Sequence, residues 1–176
     1  MEPDHRPFHQ SQLRNGNIRL VKVQVENFYD LMCLSVGEAQ KDFVASNAYS
    51  LAEAYAVSSA GRFVQAFGIY DGPVPVGFAM IGHNSFCNPD CPAAYQNSYY
   101  LWRFMIDQRY QGRGYGKDAV KLILDYVRSF PDGKEATCCV SYEPHNTVAK
   151  ALYASFGFVP NGEMDDDEEI AVLALE

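Results

Sequence analysis

The sequence predicts an α/β fold of the α+β kind, in which a mixed, mainly antiparallel central sheet carries helices on both faces. Three observations lead there. Phe63 to Tyr70 and Val76 to His83 are strand-like runs joined by Asp71-Gly72-Pro73-Val74-Pro75, whose residue chemistry is that of a turn, so they form an antiparallel hairpin. The aromatic and β-branched run from Tyr99 passes into the glycines Gly112, Gly114 and Gly116, and then into Val120, Ile123, Leu124 and Val127 at the i, i+3, i+4, i+7 period of an amphipathic helix. The remaining segments complete an order β-α-α-β-β-β-α-β-α-β-β, without an internal repeat or a low-complexity linker. With 176 residues, 48% of them hydrophobic, the chain can bury one sizeable core and is short for two.

In chain order, residues 1–17 are rich in Pro, His, Gln and Asn and are expected to form a tail or arm, with a single domain over residues 18–176. Ile18 to Val23 alternates as a first strand, and Phe28, Leu31 and Met32 fit one face of a short helix. Gly37 to Asn47 mixes Glu38 and Asp42 with apolar Phe43 and Val44, a composition that suits either a pocket wall or a continuing helix. Ser50-Leu51-Ala52-Glu53 has the spacing of a capping box and predicts a second helix starting near Leu51. After the hairpin, Asn84 to Ser98 is a polar loop that leads into the central strand. The helix that follows ends near Ser129, Pro131-Asp132-Gly133 turns the chain, and Ala136 to Ser141 is a further strand. Asn146 to Phe156 is helical with Gly157 as its stop, and Phe158 to Gly162 pairs with Ile170 to Leu175 across the acidic turn Asp165 to Glu169, expected to be solvated.

A strand, a glycine turn and a helix N-terminus form an anion site, because exposed N–H groups and the helix dipole both favour negative charge. The spacing excludes two phosphate loops. A Walker loop needs one more residue between Gly112 and Gly116-Lys117, and a hydroxyl where Asp118 stands; a dinucleotide loop needs Gly-x-Gly-x-x-Gly rather than Gly-x-Gly-x-Gly. Gln111-Gly112-Arg113-Gly114-Tyr115-Gly116 resembles the pyrophosphate loop of the Gcn5-related N-acetyltransferases (GNAT), which bind acetyl-CoA. A second run, Asn146-x-x-Ala149-x-x-Leu152-Tyr153-x-x-x-Gly157-Phe158, resembles the C-terminal part of the same family's motif. Within that family, Arg103 to Asp107 with Tyr110 to Gly116, Gln40 with Phe43-Val44, and Gly162-Glu163 resemble the bacterial spermine/spermidine (diamine) N-acetyltransferases. One departure stands out: Trp102 and Arg103 occupy a place where one polyamine branch carries acidic residues.

The resemblance implies a GNAT-like fold and direct attack on acetyl-CoA by an amine, a polyamine such as spermidine or spermine being favoured; the alternatives are an amino sugar, an antibiotic or a peptide N-terminus as acceptor, or a non-catalytic acyl-CoA-binding module. It implies that main-chain groups of Phe104, Met105 and Ile106 hold the pantetheine arm, and that N–H groups from Gln111 through Gly112, Arg113, Gly114, Tyr115 and Gly116 to Lys117 hold the pyrophosphate. Tyr153 matches the family's general acid, and a phenol is protonated at neutral pH. Asn146 lies seven residues earlier, on the same face of the expected helix, and matches a residue that hydrogen-bonds the cofactor arm. The amine must also lose a proton, and Glu38, Asp42, Asp107 and Glu143 are all candidates, with Trp102 a further acceptor-site residue; His145 reads as loop.

Composition narrows the partners. A formal charge of −8 argues against an extended nucleic-acid footprint and suits a small cationic amine. The N-terminus lacks the apolar core of a signal peptide, and no apolar run reaches the length of a membrane span, so a soluble, cytoplasmic protein without a membrane partner is expected. The five cysteines show no repeated metal-ligand spacing: Cys138 and Cys139 read as buried thiols, Cys87 and Cys91 as loop residues, and no metal is expected. Relatives often pair through sheet edges, so a homodimer is the expected assembly by analogy.

Overall fold

The structure, a computed structural model, describes residues 14–15, 17–85 and 91–175. Most of the expected N-terminal arm therefore lies outside the described residues, as does Cys87. Arg14–Asn15, the last part of that arm, forms a short strand β1 on β2 (Ile18–Lys22). The chain continues through α1 (Phe28–Met32), α2 (Asn47–Ser59), β3 (Phe63–Asp71), β4 (Val74–His83), β5 (Ser98–Ile106), α3 (Tyr115–Val127), β6 (Thr137–Tyr142), α4 (Thr147–Ala154), β7 (Val159–Asp165) and β8 (Glu168–Ala174). These strands form one eight-stranded sheet in the order β1-β2-β3-β4-β5-β6-β8-β7. Every neighbouring pair is antiparallel except β5 and β6.

Strand alternation divides the core between the two faces. Phe67 and Ile69 of β3, with Ala79 and Ile81 of β4, pack in one cluster with Ala119, Val120, Ile123 and Val127 of α3 and Tyr153 of α4. The intervening Ala66, Tyr70, Phe78 and Met80 pack in a second cluster with Leu31 of α1, against Leu51 and Ala54 of α2. This is the two-residue period of a sheet buried on both sides. On β5 the period breaks once. Met80 pairs with Arg103 and Ile81 with Leu101, so Trp102 is the extra residue of a bulge. Leu101 consequently belongs to the α3 cluster and Met105, four residues on, to the α1/α2 cluster.

The second helix starts a turn before its expected position. Ser46 is its N-cap, accepting from the Tyr49 N–H at 3.2 Å. Ser50 is buried inside the helix and donates to the Ser46 carbonyl, and Glu53 pairs with Arg103 at 2.8 Å. Ser-x-x-Glu is also an i, i+3 pair within a helix, which is why its spacing gave the wrong boundary. Asn47 ties the helix to α1, its side-chain amide donating to the Leu31 carbonyl at 2.8 Å. At the other end of the sheet, the buried His83 ring stands 2.8 Å from Asp132 and 2.9 Å from Glu135, stacked on Tyr99, and fastens β4 to the α3–β6 connection.

Close packing of β4 on β5 leaves no room at Gly77, where an added Cβ would sit 2.5 Å from the Met105 carbonyl oxygen. Gly77→Ala is therefore expected to cost about 2 kcal/mol, lowering the melting temperature by about 4–8 °C. An unchanged melting temperature in a thermal scan would contradict this packing.

Candidate active site

Only three register pairs join β5 to β6: Ser98 with Thr137, Tyr99 with Cys138 and Tyr100 with Cys139. Beyond them the strands part, although β5 continues to Ile106 and β6 to Tyr142. β4 stays paired with β5 as far as Ile106, so Leu101 to Ile106 keeps one edge without a strand partner among the described residues. A cleft of about 580 Å³ opens along that edge. Its walls are β5, the glycine loop, the segment Gln40 to Ala45, the α4 residues from Val148 to Tyr153, and Ser141 and Glu168.

The glycine loop delivers the start of α3 to the cleft. Gly112 and Gly114 have φ of 74° and 85°, a region L side chains enter only with strain, whereas an added Cβ at Gly116 would make an ordinary 3.6 Å contact with Leu152. No main-chain N–H from Gln111 to Gly116 donates to another described residue. They stand at the N-terminus of a 13-residue helix, so the loop presents donors to an anion. Side chains brace it from behind. Gln111 donates to the Ile106 carbonyl at 2.9 Å and to Gln40 at 3.0 Å, Arg113 donates to the Arg109 carbonyl at 3.1 Å, and Tyr115 donates to Asp71 at 2.6 Å. The Gln111 amide thus uses the Ile106 carbonyl that the pantetheine arm was expected to share.

Asn146 and Tyr153 both line the cleft. Asn146 is the N-cap of α4 rather than part of its helical face: its Oδ1 accepts from the Ala149 N–H at 3.1 Å, leaving the amide NH2 group for a ligand. Tyr153 is buried, packed between the rings of Tyr142 and Phe158, and its hydroxyl has no hydrogen-bond partner among the described residues. Burial, and then nearby groups including Tyr100 and Glu168, push its phenol well above the ordinary value, so it is a proton donor at neutral pH.

The expected carboxylates separate into distinct environments. Asp42 lines the cleft and is exposed. Glu38 is on the surface, paired with Lys41 at 2.6 Å, and does not line the cleft. Glu143 is part-buried beyond the cleft lining, 3.8 Å from His145. Asp107 is 1% exposed and fully engaged: it accepts from the Ser35 N–H at 3.0 Å, the Arg109 N–H at 3.0 Å and the Arg109 Nε at 2.7 Å. Burial alone would raise this carboxyl. The Arg109 side chain, the Ser35 and Arg109 N–H groups and the Arg109 charge outweigh burial and hold it below the usual carboxylate range. A group so committed is a structural anchor and not a base. Trp102 lines the cleft, and the neighbouring Arg103 has its charge taken up by Glu53.

A carboxylate that sequence reasoning passed over stands in the cleft. Glu168, expected to be part of a solvated acidic turn, lines the cavity and accepts a hydrogen bond from Ser141. Burial raises its carboxyl most; the Ser141 hydrogen bond and Arg103 oppose this, and Asp165 and Glu143 add to it, leaving a net upward shift. Its one sequence signal was parity. Glu168 is two residues before the buried Ile170 and so shares its face of β8.

The chain matches the model of the acetyltransferase (GNAT) family over residues 28–158. The chain belongs to this family. This acetyltransferase is 30% identical over 161 residues to the spermine/spermidine N(1)-acetyltransferase of Bacillus subtilis, a match that spans 90% of this chain and 99% of that protein. Among solved structures, a spermidine N-acetyltransferase from Vibrio cholerae in complex with CoA and spermine superposes with a TM-score of 0.66 at 16% identity, covering 92% of this chain and 97% of that one. An aminoglycoside acetyltransferase in complex with coenzyme A gives 0.70 at 14% identity, covering 89% and 94%. These structural likenesses establish the fold: the mixed, mainly antiparallel sheet with helices on both faces.

Acetyl-CoA, the family's acyl donor, fits what the cleft offers. Unengaged N–H groups at the start of α3 suit a pyrophosphate, and the bare β5 edge suits an amide-rich arm laid beside it like an added strand. Among the described residues, no group of three or more His, Cys, Asp or Glu side chains is placed to hold a metal ion.

Two predictions follow from the acetyltransferase's cleft. Gly114→Ala should relax the free loop out of its positive φ, and recovering the binding conformation then costs about 1–2 kcal/mol, a roughly tenfold rise in the coenzyme A Kd by calorimetry. Gly116→Ala should bind as wild type, and equal effects at both positions would contradict the geometry. For Asp107, the folded carboxyl titrates below its unfolded value, so its stabilisation is complete above about pH 4 and is lost as pH falls through the folded value. Asp107→Asn should be less stable at pH 7 by about 1–3 kcal/mol, with the gap closing in acid. Urea unfolding at both pH values tests this, and a gap independent of pH would refute it.

Proposed function

We propose that this enzyme transfers the acetyl group of acetyl-CoA to a primary amine of a polyamine such as spermidine or spermine, by direct attack in a ternary complex. The observation that carries this reading is the acceptor end of the cleft. Glu168, with Asp165 and Glu143 near it, forms an acidic centre, and Asp42 adds a carboxylate on the cleft wall. Trp102 lines the same cleft, its ring stacked on Tyr100 and carrying the Arg103 guanidinium 5.4 Å from its centroid. The named activity of the Bacillus subtilis relative supports the same acceptor class.

Acetyl-CoA supplies the thioester carbonyl for the amine and a thiolate that departs. In this reading the N–H groups from Gln111 to Gly116 bind the pyrophosphate, the Lys117 N–H expected to join them being taken by the Gly114 carbonyl at 3.0 Å; main-chain groups of Phe104 to Ile106 orient the arm, and the Asn146 amide adds a donor. Tyr153 gives its proton to the departing thiolate; its buried, protonated phenol supports that role. Residues 18–176 act as one catalytic domain. We also read the protein as cytoplasmic, in keeping with free thiols at Cys33, Cys91, Cys138 and Cys139. Pairing into a homodimer is supported by β7, an edge strand with Val159 and Met164 exposed, and by the dodecameric Vibrio cholerae relative.

Release of coenzyme A thiol is to be measured with spermidine, spermine, putrescine, amino sugars and peptides. Turnover concentrated on spermidine and spermine is the expected outcome. Turnover of an amino sugar or peptide alone would replace the acceptor. Tyr153→Phe should lose about 10²- to 10⁴-fold in kcat while its coenzyme A affinity is unchanged, and full activity in this variant would remove Tyr153 from the chemistry.

A further inference from the structure

A buried row of hydroxyls leads away from Glu168. Ser141 donates to the Glu168 carboxylate and lies 3.0 Å from the Tyr100 hydroxyl. The Tyr100 hydroxyl lies 3.2 Å from that of Tyr95, which in turn donates to Asp165 at 2.8 Å. Both tyrosines are 5% exposed, and their rings are 4.2 Å apart. Asp165 closes β7 and is part-exposed, next to the exposed turn residues Asp166 and Asp167. A carboxylate in the cleft is thereby joined to one near the surface. Each intervening group is a hydroxyl, able to donate its proton and accept another at the same oxygen.

Amine acetylation gives such a row something to carry. An aliphatic amine is an ammonium ion at neutral pH, since its pKa is about 10, and its nitrogen cannot attack until a proton leaves. Of the two carboxylates that line the cleft, Asp42 is exposed and Glu168 is recessed against Ser141. An acyl donor and amine filling the cleft would leave Ser141 as the hydrogen-bonded neighbour of Glu168.

We propose that Glu168 accepts the proton of the amine and that Ser141, Tyr100 and Tyr95 relay it to Asp165; this rests on the reading of the cleft as an amine acetyltransferase site. An ammonium N–H bond breaks and a Glu168 O–H bond forms. The Ser141 hydroxyl, which donates to the ionised Glu168, turns toward Tyr100; Glu168 then gives its proton to Ser141 as the Ser141 proton moves to Tyr100, the Tyr100 proton to Tyr95 and the Tyr95 proton to Asp165, which releases it to water. Each hydroxyl ends neutral, so the concerted shift needs no buried phenolate. The net result is one proton moved from the amine to solvent.

Tyr95→Phe keeps the ring and removes the link to Asp165, whereas Tyr100→Phe keeps its ring and leaves the direct hydrogen bond between Ser141 and Tyr95. The full-length variants are compared with wild type for coenzyme A release with spermidine in H2O and in D2O, and their melting temperatures and coenzyme A affinities are measured alongside. Each variant is expected to stay folded and keep its KM for both substrates; Tyr95→Phe should lose about 10²-fold in kcat, and Tyr100→Phe less. The solvent isotope effect on kcat should exceed that of wild type, because proton exit becomes rate-limiting. A structural role alone would move melting temperature or KM without raising the isotope effect. Retention of wild-type kcat in Tyr95→Phe, or a loss there with an unchanged isotope effect, would overturn the relay. Wild-type protein inactive with every amine would overturn the functional reading and the relay with it, a failure visible before any variant is compared.

Discussion

The site depends on where one parallel ladder stops. Tyr100 and Cys139 are the last pair between β5 and β6, and each strand continues past the other's reach. A bare strand edge is ordinarily a liability, because its N–H and C=O groups invite pairing with another chain. Here it borders a cleft whose other wall is α4, so what it can pair with is limited to something narrow enough to enter. The bulge at Trp102 falls within the same stretch. It reverses the phase of β5 as the strand leaves its partner, so that Trp102 reaches the cleft while Leu101 and Met105 anchor the strand in opposite core clusters.

A split sheet also brings together groups that a continuous one would hold apart. Tyr153 belongs to the α3/α4 side, packed with Tyr142 and Phe158. Glu168 lies on the same face of β8 as Ile170, which packs with Tyr95, Tyr100 and Cys139 in a third cluster. In an unbroken sheet, a backbone layer would separate them. In the opening they line one cleft, and Glu168 contributes to the upward shift of the Tyr153 phenol. A phenol held protonated and a carboxylate whose proton affinity burial raises, reached from opposite faces, suit a reaction in which one proton is taken up and another given out.

Local chemistry in this sequence was legible, and long-range chemistry was not. The glycine loop, the α3 period and the α4 motif are contiguous, and their geometry follows from neighbours a few residues away. Capping failed at Ser50 because Glu53 answers to Arg103, a residue fifty positions later. Asp107 read as a possible base because nothing near it in sequence announces the Ser35 N–H, 72 positions earlier, to which it is bound. Asn146 lines the cleft but differs from the expected backbone state: a side chain that caps its own helix looks the same, letter by letter, as one projecting from it. Glu168 was hidden in a run of acidic residues whose charge reads as solvated. Its parity with Ile170 is a signal only once β8 is known to pair with β6, which turns that face toward the cleft.

That last case bears on what burial means for an acidic turn. Five consecutive carboxylates, Asp165 to Glu169, would repel one another if all faced the same solvent. The hairpin disperses them instead. Asp165 accepts from Tyr95, Glu168 from Ser141 and Glu169 from Lys150, while Asp166 and Asp167 stay exposed at the tip. Lys150 and the Tyr142 hydroxyl hold Glu169 ionised, with its carboxyl shifted downward despite some desolvation, whereas burial shifts its neighbour Glu168 upward. Adjacent residues on opposite faces of one strand thus acquire opposite tendencies, one an ion-pair anchor for α4 and the other a recessed carboxylate able to take a proton. Strand alternation alone produces the division, because it sends one side chain toward a lysine and the other toward a buried row of hydroxyls.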